Sequence, residues 1–513
     1  MKELEEDMVD SLGVRFWQTV RRYPDYPALE LGERQVTYRE LYRSAASFAQ
    51  AILDLEDPTP YVAIMADKSY ACYAGILGIL MAGKAYLPLN PRFPAARNLF
   101  MLQKAGCRII LAGENSDEEL DEILENHTRE IFILFPEEMM DIDGGDLVPQ
   151  IVAPEDKAYL LFTSGTTGQP KGVPVSHQNA LAYLDFMTTT CDFYPDDRFT
   201  QVFDLTFDLS VHDLFLAWSV GACLVVPEDN SSFAMSGFIR MKEPSVFFSV
   251  PSVIHLMSRM RLLKPDAFPS VRLSFFCGEA LMTTTAKAWK KAASKSRLVN
   301  LYGPTEATIA ISRYDLPENE HLWKSEMGIT AIGKIFDQHH YLILKENPGD
   351  PSGELCLSGP QVVDCYLDNK EADLQAFFKS PNGSVKYYKT GDLVKSDENG
   401  NLFYLGRKDS EVKISGYRVN LKEIENVLET YDKVTQAVLI YREDEEKQGI
   451  LLAYVLFSLK NNADGEKLLR DFCRDRLPWY MVPGKIIFVD EIPLNTNGKT
   501  DKNELTRRYG NGK

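Results

Sequence analysis

The stretch Tyr159-Leu-Leu-Phe-Thr-Ser-Gly-Thr-Thr-Gly-Gln-Pro-Lys-Gly172 decides the reading of this chain. It opens as an apolar strand and breaks into a loop dense in Gly, Ser and Thr that ends in Lys171. Such a loop can hold polyphosphate. Small residues such as Gly165 let backbone N–H groups approach phosphate oxygens, the hydroxyls of Thr163, Ser164, Thr166 and Thr167 donate further bonds, and Lys171 adds positive charge. The spacing is not that of the GxxxxGK[ST] loop, because Gly172 follows the lysine where Ser or Thr would meet magnesium. On composition alone the same loop reads equally as a flexible connection.

Outward from this loop the chain alternates short apolar runs (61–65, 108–111) with helical patterns (39–55), the mark of layered α/β construction. Residues 74–89 read as a buried helix running into a strand, since Lys84 interrupts an apolar run far short of the ~20 residues that span a bilayer. A chain of 513 residues exceeds one ordinary core, so a large domain plus a smaller one is expected. The polar segment 395–401 leads through a short strand to Arg407, Lys408 and Asp409, which places the boundary there. Residues 1–406 then form a large α/β domain with layered sheets and 410–513 a small α+β domain, joined through 407–409. Within the latter, 421–428 and 465–477 read as helices and 437–441 and 451–457 as strands.

Lys and Arg number 56 against 74 Asp and Glu, a net charge of −18, which argues against nucleic acid and anionic membrane as partners. The eight cysteines show neither a CxxC pair nor zinc spacing, and read as reduced thiols. The acidic N-terminus lacks the pattern of a secretion signal, so a cytoplasmic protein is expected.

The loop TSGTTGxPKG resembles the signature loop of the acyl-adenylate-forming enzymes, and the family's other motifs follow in order along nearly the whole chain. They are Val36-Thr-Tyr-Arg-Glu-Leu41, Met81-Ala-Gly-Lys-Ala-Tyr-Leu-Pro-Leu89, Asn300-Leu-Tyr-Gly-Pro-Thr-Glu306, Tyr388-Lys-Thr-Gly-Asp392, Gly406-Arg-Lys-Asp409, Lys413-Ile-Ser-Gly-Tyr-Arg418 and Pro493-Leu-Asn-Thr-Asn-Gly-Lys499. The resemblance implies an ATP-dependent, AMP-forming ligase that uses Mg2+, and roles by position. Tyr302 offers an aromatic face to adenine, with Asn300 and the backbone of Gly278, Glu279 and Ala280 framing the ring, and Gly303 falls among the ATP-binding positions. Thr305 donates to the α-phosphate and Glu306 holds magnesium, a hard cation that favours carboxylate and phosphate oxygens. Asp392 accepts the ribose hydroxyls, and Arg407 reaches ribose or phosphates. Lys499 stabilises the charge that builds when a carboxylate attacks the α-phosphate, and Asp409 is the hinge that carries Lys499 away before thiol attack. Taken singly, these motifs also read as turns or solvated loops.

Phe207-Asp-Leu-Ser-Val-His-Asp-Leu-Phe215 resembles the segment that opens the substrate pocket in amino-acid-activating members, such as nonribosomal peptide synthetase adenylation domains. Asp208 stands where a carboxylate pairs with the α-ammonium; on the residues alone it reads as a helix cap. The remaining pocket positions fall on Leu209, His212, Phe248, Phe275, Cys277, Leu301, Ile309 and Ala310, with Lys499 on the carboxylate. Large apolar walls and no second charge imply a small neutral amino acid, alanine or proline, by similarity to D-alanine–carrier protein ligases and stand-alone proline-activating ligases. The chain stops soon after Lys499, so the expected acceptor is the phosphopantetheine thiol of a free-standing carrier protein. An acyl-CoA ligase for a small carboxylic acid is the alternative, which Asp208 opposes because an uncompensated carboxylate facing an apolar acid is costly to bury. A catalytically silent scaffold would not need these motifs together. His212, the run Val363-Asp364-Cys365-Tyr366 and Asn420 depart from the family pattern.

Overall fold

The computed structural model describes residues 9–113, 117–125, 130–140, 144–164, 170–228, 232–347, 349–380, 383, 385–408, 411–443, 449–457, 463–493 and 500–510. The chain falls into two compact units. One comprises residues 1–91, 101–162 and 172–408; the other gathers 92–100, 163–171 and 409–513. No helix among the described residues is long and apolar enough to cross a membrane. All eight cysteines are free thiols, and only Cys365 is exposed.

The first unit is layered α/β. A nine-stranded sheet has a parallel centre formed by Arg297–Tyr302, Leu273–Phe276, Val246–Ser249, Arg198–Thr200, Cys223–Val226 and Pro27–Leu31. Antiparallel strands close its edges. A six-stranded sheet contains Tyr61–Met65, Ala85–Leu89 and Lys157–Thr163 in parallel. A third, antiparallel sheet includes Gly353–Ser358, Lys386–Ser396 and Leu402–Arg407. Parallel strands need helical crossovers that cover both faces, which explains two helices apolar all round. Tyr70–Met81 is buried along its whole length, and Leu209–Val220 is buried from Leu209 to Trp218.

One quoted motif proves to be architecture. In the segment 36–41, Thr37 and Glu40 form a reciprocal capping box at the start of the helix Tyr38–Asp54. Tyr38 is fully buried and donates its hydroxyl to the Ala222 carbonyl at 2.7 Å. Helix Tyr70–Met81 lies so close to helix Tyr38–Asp54 that a Cβ on Gly78 would stand 2.6 Å from Phe48 Cβ and 2.8 Å from the Ala45 carbonyl oxygen. Only glycine permits that approach.

The second unit is α+β around its own core. The hairpin Glu411–Ile414 and Tyr417–Asn420 leads into helix Leu421–Glu429, and a three-stranded sheet of Val434–Glu443, Gly449–Phe457 and Lys485–Val489 follows. Ile424, Leu428, Leu439, Ala453 and Leu469 fill the core. Asn420, a departure from the family pattern, caps its helix by accepting from the Lys422 N–H at 2.9 Å. The helix expected over 465–477 runs Ala463–Arg474 instead: it starts two residues earlier, and Leu477, which Pro478 biases away from helical geometry, lies beyond its end. Arg97 and Glu423 form a buried ion pair at 2.9 Å within this unit.

Candidate active site

Parallel strands of the nine-stranded sheet end at a common edge, and open α/β sheets take ligands outside such carboxyl ends. Phe248 and Phe275 pair in register on adjacent strands, and Phe275 pairs with Val299 on the next. Paired residues share a face, so Phe248, Phe275 and Leu301, two beyond Val299, project the same way. Leu209, Phe248, Phe275, Cys277, Leu301, Ile309 and Ala310 all belong to one buried cluster. The apolar wall positions inferred from the sequence are thus brought together.

Helix Leu209–Val220 brings two polar groups to that cluster. Asp208 is buried at the helix head with helical backbone angles (φ −62°, ψ −23°), and its side chain makes no capping bond. The helix-cap reading of Asp208 is therefore wrong: a cap needs extended backbone to aim its oxygen at the first turn, and this residue is already helical. His212, one turn on, is fully buried; its ring centroid lies 4.2 Å from that of Phe248 and 5.0 Å from that of Phe275. Its Nδ1 is 2.6 Å from the Tyr183 hydroxyl, and burial pushes its pKa down to about 3, so it is neutral.

A second constellation lies at the end of strand Arg297–Tyr302. Tyr302 donates its hydroxyl to Asp392 Oδ2 at 2.6 Å, and Arg407 Nη1 donates to Asp392 Oδ1 at 2.8 Å. Asp392 and Arg407 face each other across antiparallel strands. Each carboxylate oxygen keeps a further lone pair, so these bonds leave Asp392 able to accept from a ligand. Asn300 Nδ2 donates to the Ala331 carbonyl at 2.9 Å, and Asn300 Oδ1 is buried with no partner among the described residues. Glu279 Oε2 accepts from the Ser252 N–H at 2.8 Å, which ties the Gly278-Glu279-Ala280 turn to helix Pro251–Arg259.

The loop after Tyr302 is tightly held. A Cβ on Gly303 would stand 2.5 Å from Ala310 Cα, so only glycine lets the two backbone segments meet. Thr308 (φ 54°) and Ile309 (φ 72°) occupy the left-handed region, which is strained for β-branched residues. Gln361, fully buried, offsets that strain by donating Nε2 to the carbonyls of Ala307, Thr308 and Ala310 at 3.2, 3.1 and 2.7 Å. Glu306 follows Thr305 in a short 3-10 turn and is only 1% exposed, so it is not a solvated loop carboxylate; its Oε1 accepts from the Tyr366 hydroxyl at 2.6 Å. In the sequence Gln361 and Tyr183 stand out by nothing, and Tyr366 only as part of a departing run, because their bonds are to partners 29 to 60 residues away.

In the second unit, Thr163 ends its strand with a buried Oγ1 that has no partner among the described residues. The Ser164 hydroxyl donates to the Arg418 carbonyl at 2.9 Å, and Lys171 is buried. Gly165, Thr166, Thr167, Asp409 and Lys499 lie outside the described residues.

Residues 16–367 match the family model of the AMP-binding enzymes, and residues 423–499 that of the AMP-binding enzyme C-terminal domain. The chain belongs to the AMP-binding enzyme family. This AMP-binding enzyme is 30% identical over 499 residues to tyrocidine synthase 1 of Brevibacillus parabrevis, across 96% of the chain and 44% of that protein. It is 31% identical over 504 residues to bacitracin synthase 1 of Bacillus licheniformis, across 96% and 9%. It spans less than half the length of either. Its fold matches the Vibrio cholerae adenylation domain AlmE, solved in complex with glycyl-adenosine-5'-phosphate, with a TM-score of 0.86, 28% identity and 98% of both chains covered. The AMP-binding enzyme thus resembles nonribosomal peptide synthetase adenylation domains, with the large and small α/β parts its sequence implied.

Proposed function

We propose that the protein activates a small, uncharged amino acid with ATP and passes the aminoacyl group to the phosphopantetheine thiol of a carrier protein. In the first step a carboxylate oxygen of the amino acid attacks the α-phosphorus, the bond from that phosphorus to the bridging oxygen breaks, and pyrophosphate leaves with the electron pair. In the second, the thiol sulfur attacks the carbonyl carbon of the aminoacyl adenylate. A thioester forms, AMP leaves, and the thiol proton passes to solvent.

The observation that carries this reading is Asp208, a buried carboxylate at the head of a buried helix that does not cap it. An α-ammonium offers such a buried carboxylate a charge-assisted hydrogen bond, stronger than a neutral one. A simple carboxylic acid supplies none, which disfavours the acyl-CoA alternative. The solved complex of AlmE with glycyl-adenosine-5'-phosphate points the same way.

Tyr302 and Asn300 are assigned to adenine, Asp392 and Arg407 to ribose and phosphate, and Thr163, Ser164, Gly165, Thr166, Thr167 and Lys171 to the phosphates. Asn300 Oδ1 and Thr163 Oγ1 support their assignments, since each is a buried polar atom without a partner among the described residues. Lys499 stabilises the charge of the first step, Asp409 is the hinge, and residues 410–513 are the mobile domain. Magnesium would be held by Glu306 together with ATP oxygens, which suits an ion bound through one or two carboxylates plus substrate phosphates; it would neutralise charge on the polyphosphate. Thr305 donates to the α-phosphate from the same turn.

The test is amino-acid-dependent exchange of labelled pyrophosphate into ATP, across the proteinogenic amino acids, D-alanine, acetate and benzoate. Exchange with a small neutral amino acid, lost in Lys499→Ala and Asp208→Ala, is expected. Exchange with acetate or benzoate alone would overturn the reading.

A further inference from the structure

Asp208 and His212 are four residues apart on one helix, so their side chains sit one above the other, about 5–6 Å apart at Cβ. If Asp208 receives the α-ammonium, His212 stands one turn along the same face, where the substrate side chain must lie. Its position among Phe248 and Phe275 makes it a polar group in an otherwise apolar wall.

The bonding of His212 is half complete. Nδ1 meets the Tyr183 hydroxyl, whereas Nε2 is buried with no hydrogen-bond partner among the described residues. The tautomer follows from counting. Tyr183 is itself fully buried, and this is its one hydrogen bond among the described residues. Were Nδ1 to donate, the phenolic hydrogen and the Nε2 lone pair would both lack partners. With the phenol donating to Nδ1, only the Nε2–H is left, and that is the cheaper state because each orphaned buried group costs about 1–3 kcal/mol. The ring is neutral, so it presents a donor without charge.

We propose that His212 reads the substrate side chain by donating from Nε2 to a neutral oxygen acceptor, so that the preferred amino acid is a small one bearing a hydroxyl or an amide. This rests on the amino-acid activation proposed above, and ranks such a substrate ahead of alanine and proline. A hydrocarbon side chain leaves the Nε2–H unpaired, and sites built to bond a substrate group discriminate strongly against analogues lacking it. His177 is the natural control: it too is buried, with Nδ1 accepting from the Leu12 N–H at 3.3 Å and Nε2 without a partner among the described residues, but it is no part of the aromatic wall.

The experiment compares pyrophosphate-exchange kcat/KM for serine with alanine, threonine with valine, and asparagine with leucine. The best oxygen-bearing substrate is expected to exceed its hydrocarbon counterpart by about tenfold or more. His212→Phe, which keeps a ring of similar size, brings that ratio to within about threefold, whereas His177→Gln leaves it unchanged. Should His212→Phe not fold, Tyr183→Phe serves: it frees the tautomer and lowers the same ratio. A hydrocarbon amino acid that matches or beats its counterpart in the native protein overturns the proposal while leaving amino-acid activation intact. Exchange with simple acids only, or with none of the compounds, overturns both.

Discussion

Asp392 and Arg407, fifteen residues apart in sequence, stand directly opposite on neighbouring antiparallel strands and close a buried ion pair of 2.8 Å, while Tyr302 holds the second Asp392 oxygen. Removing one member strands a buried charge. Asp392→Ala is expected to cost about 3–5 kcal/mol of stability, by urea denaturation, and to raise KM for ATP. The double variant Asp392→Asn, Arg407→Gln recovers stability but not ATP affinity; full recovery of both would show the pair to be structural only.

Tyr366 bonds Glu306 from the segment that departs from the family pattern. Tyr366→Phe deletes one hydrogen bond to a carboxylate, worth about 1.5–3 kcal/mol. The expected signature is a higher magnesium concentration for half-maximal exchange, with KM for the amino acid little changed. An unaltered magnesium dependence would refute the assignment of Glu306 to the metal.

Gln361 pins three carbonyls of the strained turn that carries Ile309 and Ala310. Gln361→Leu leaves them buried without that donor, at a cost of about 1–3 kcal/mol. Because the turn forms part of the wall assigned to the substrate, KM for the amino acid should rise more than KM for ATP. Equal effects on both would mean a general loss of fold.

Burial holds His212 near pKa 3 and His177 near 4, whereas the unfolded chain protonates its histidines near pH 6.5. Below about pH 6.5 the unfolded state therefore binds more protons, and stability falls as pH drops, by up to about 1.4 kcal/mol per unit for each histidine. The melting temperature should decline from pH 7.5 to 5, less steeply in His212→Phe. A flat profile would contradict the buried, neutral state of both rings.

Much of this was legible in the sequence, for identifiable reasons. Strands such as Tyr61–Met65 and helices such as Leu421–Glu429 follow from local pattern, and the apolar residues proposed as the pocket wall meet in one buried cluster. What stayed hidden depends on tertiary partners. Nothing in the residue Gln361 announces that it braces Ile309, and nothing in Val363-Asp364-Cys365-Tyr366 announces a bond to Glu306. Asp208 shows the reverse: a capping residue by type is excluded from capping by two backbone angles.

The second unit is not a continuous length of chain, since it includes residues 92–100 and 163–171. Anyone transplanting residues 409–513 into a related enzyme by a cut at the expected hinge would leave Arg97 behind with the donor, and Glu423 would have to find its counterion in the host's own equivalent of residues 92–100. Chimaeras should therefore be chosen by whether the host carries an arginine at that place, rather than by the quality of the splice.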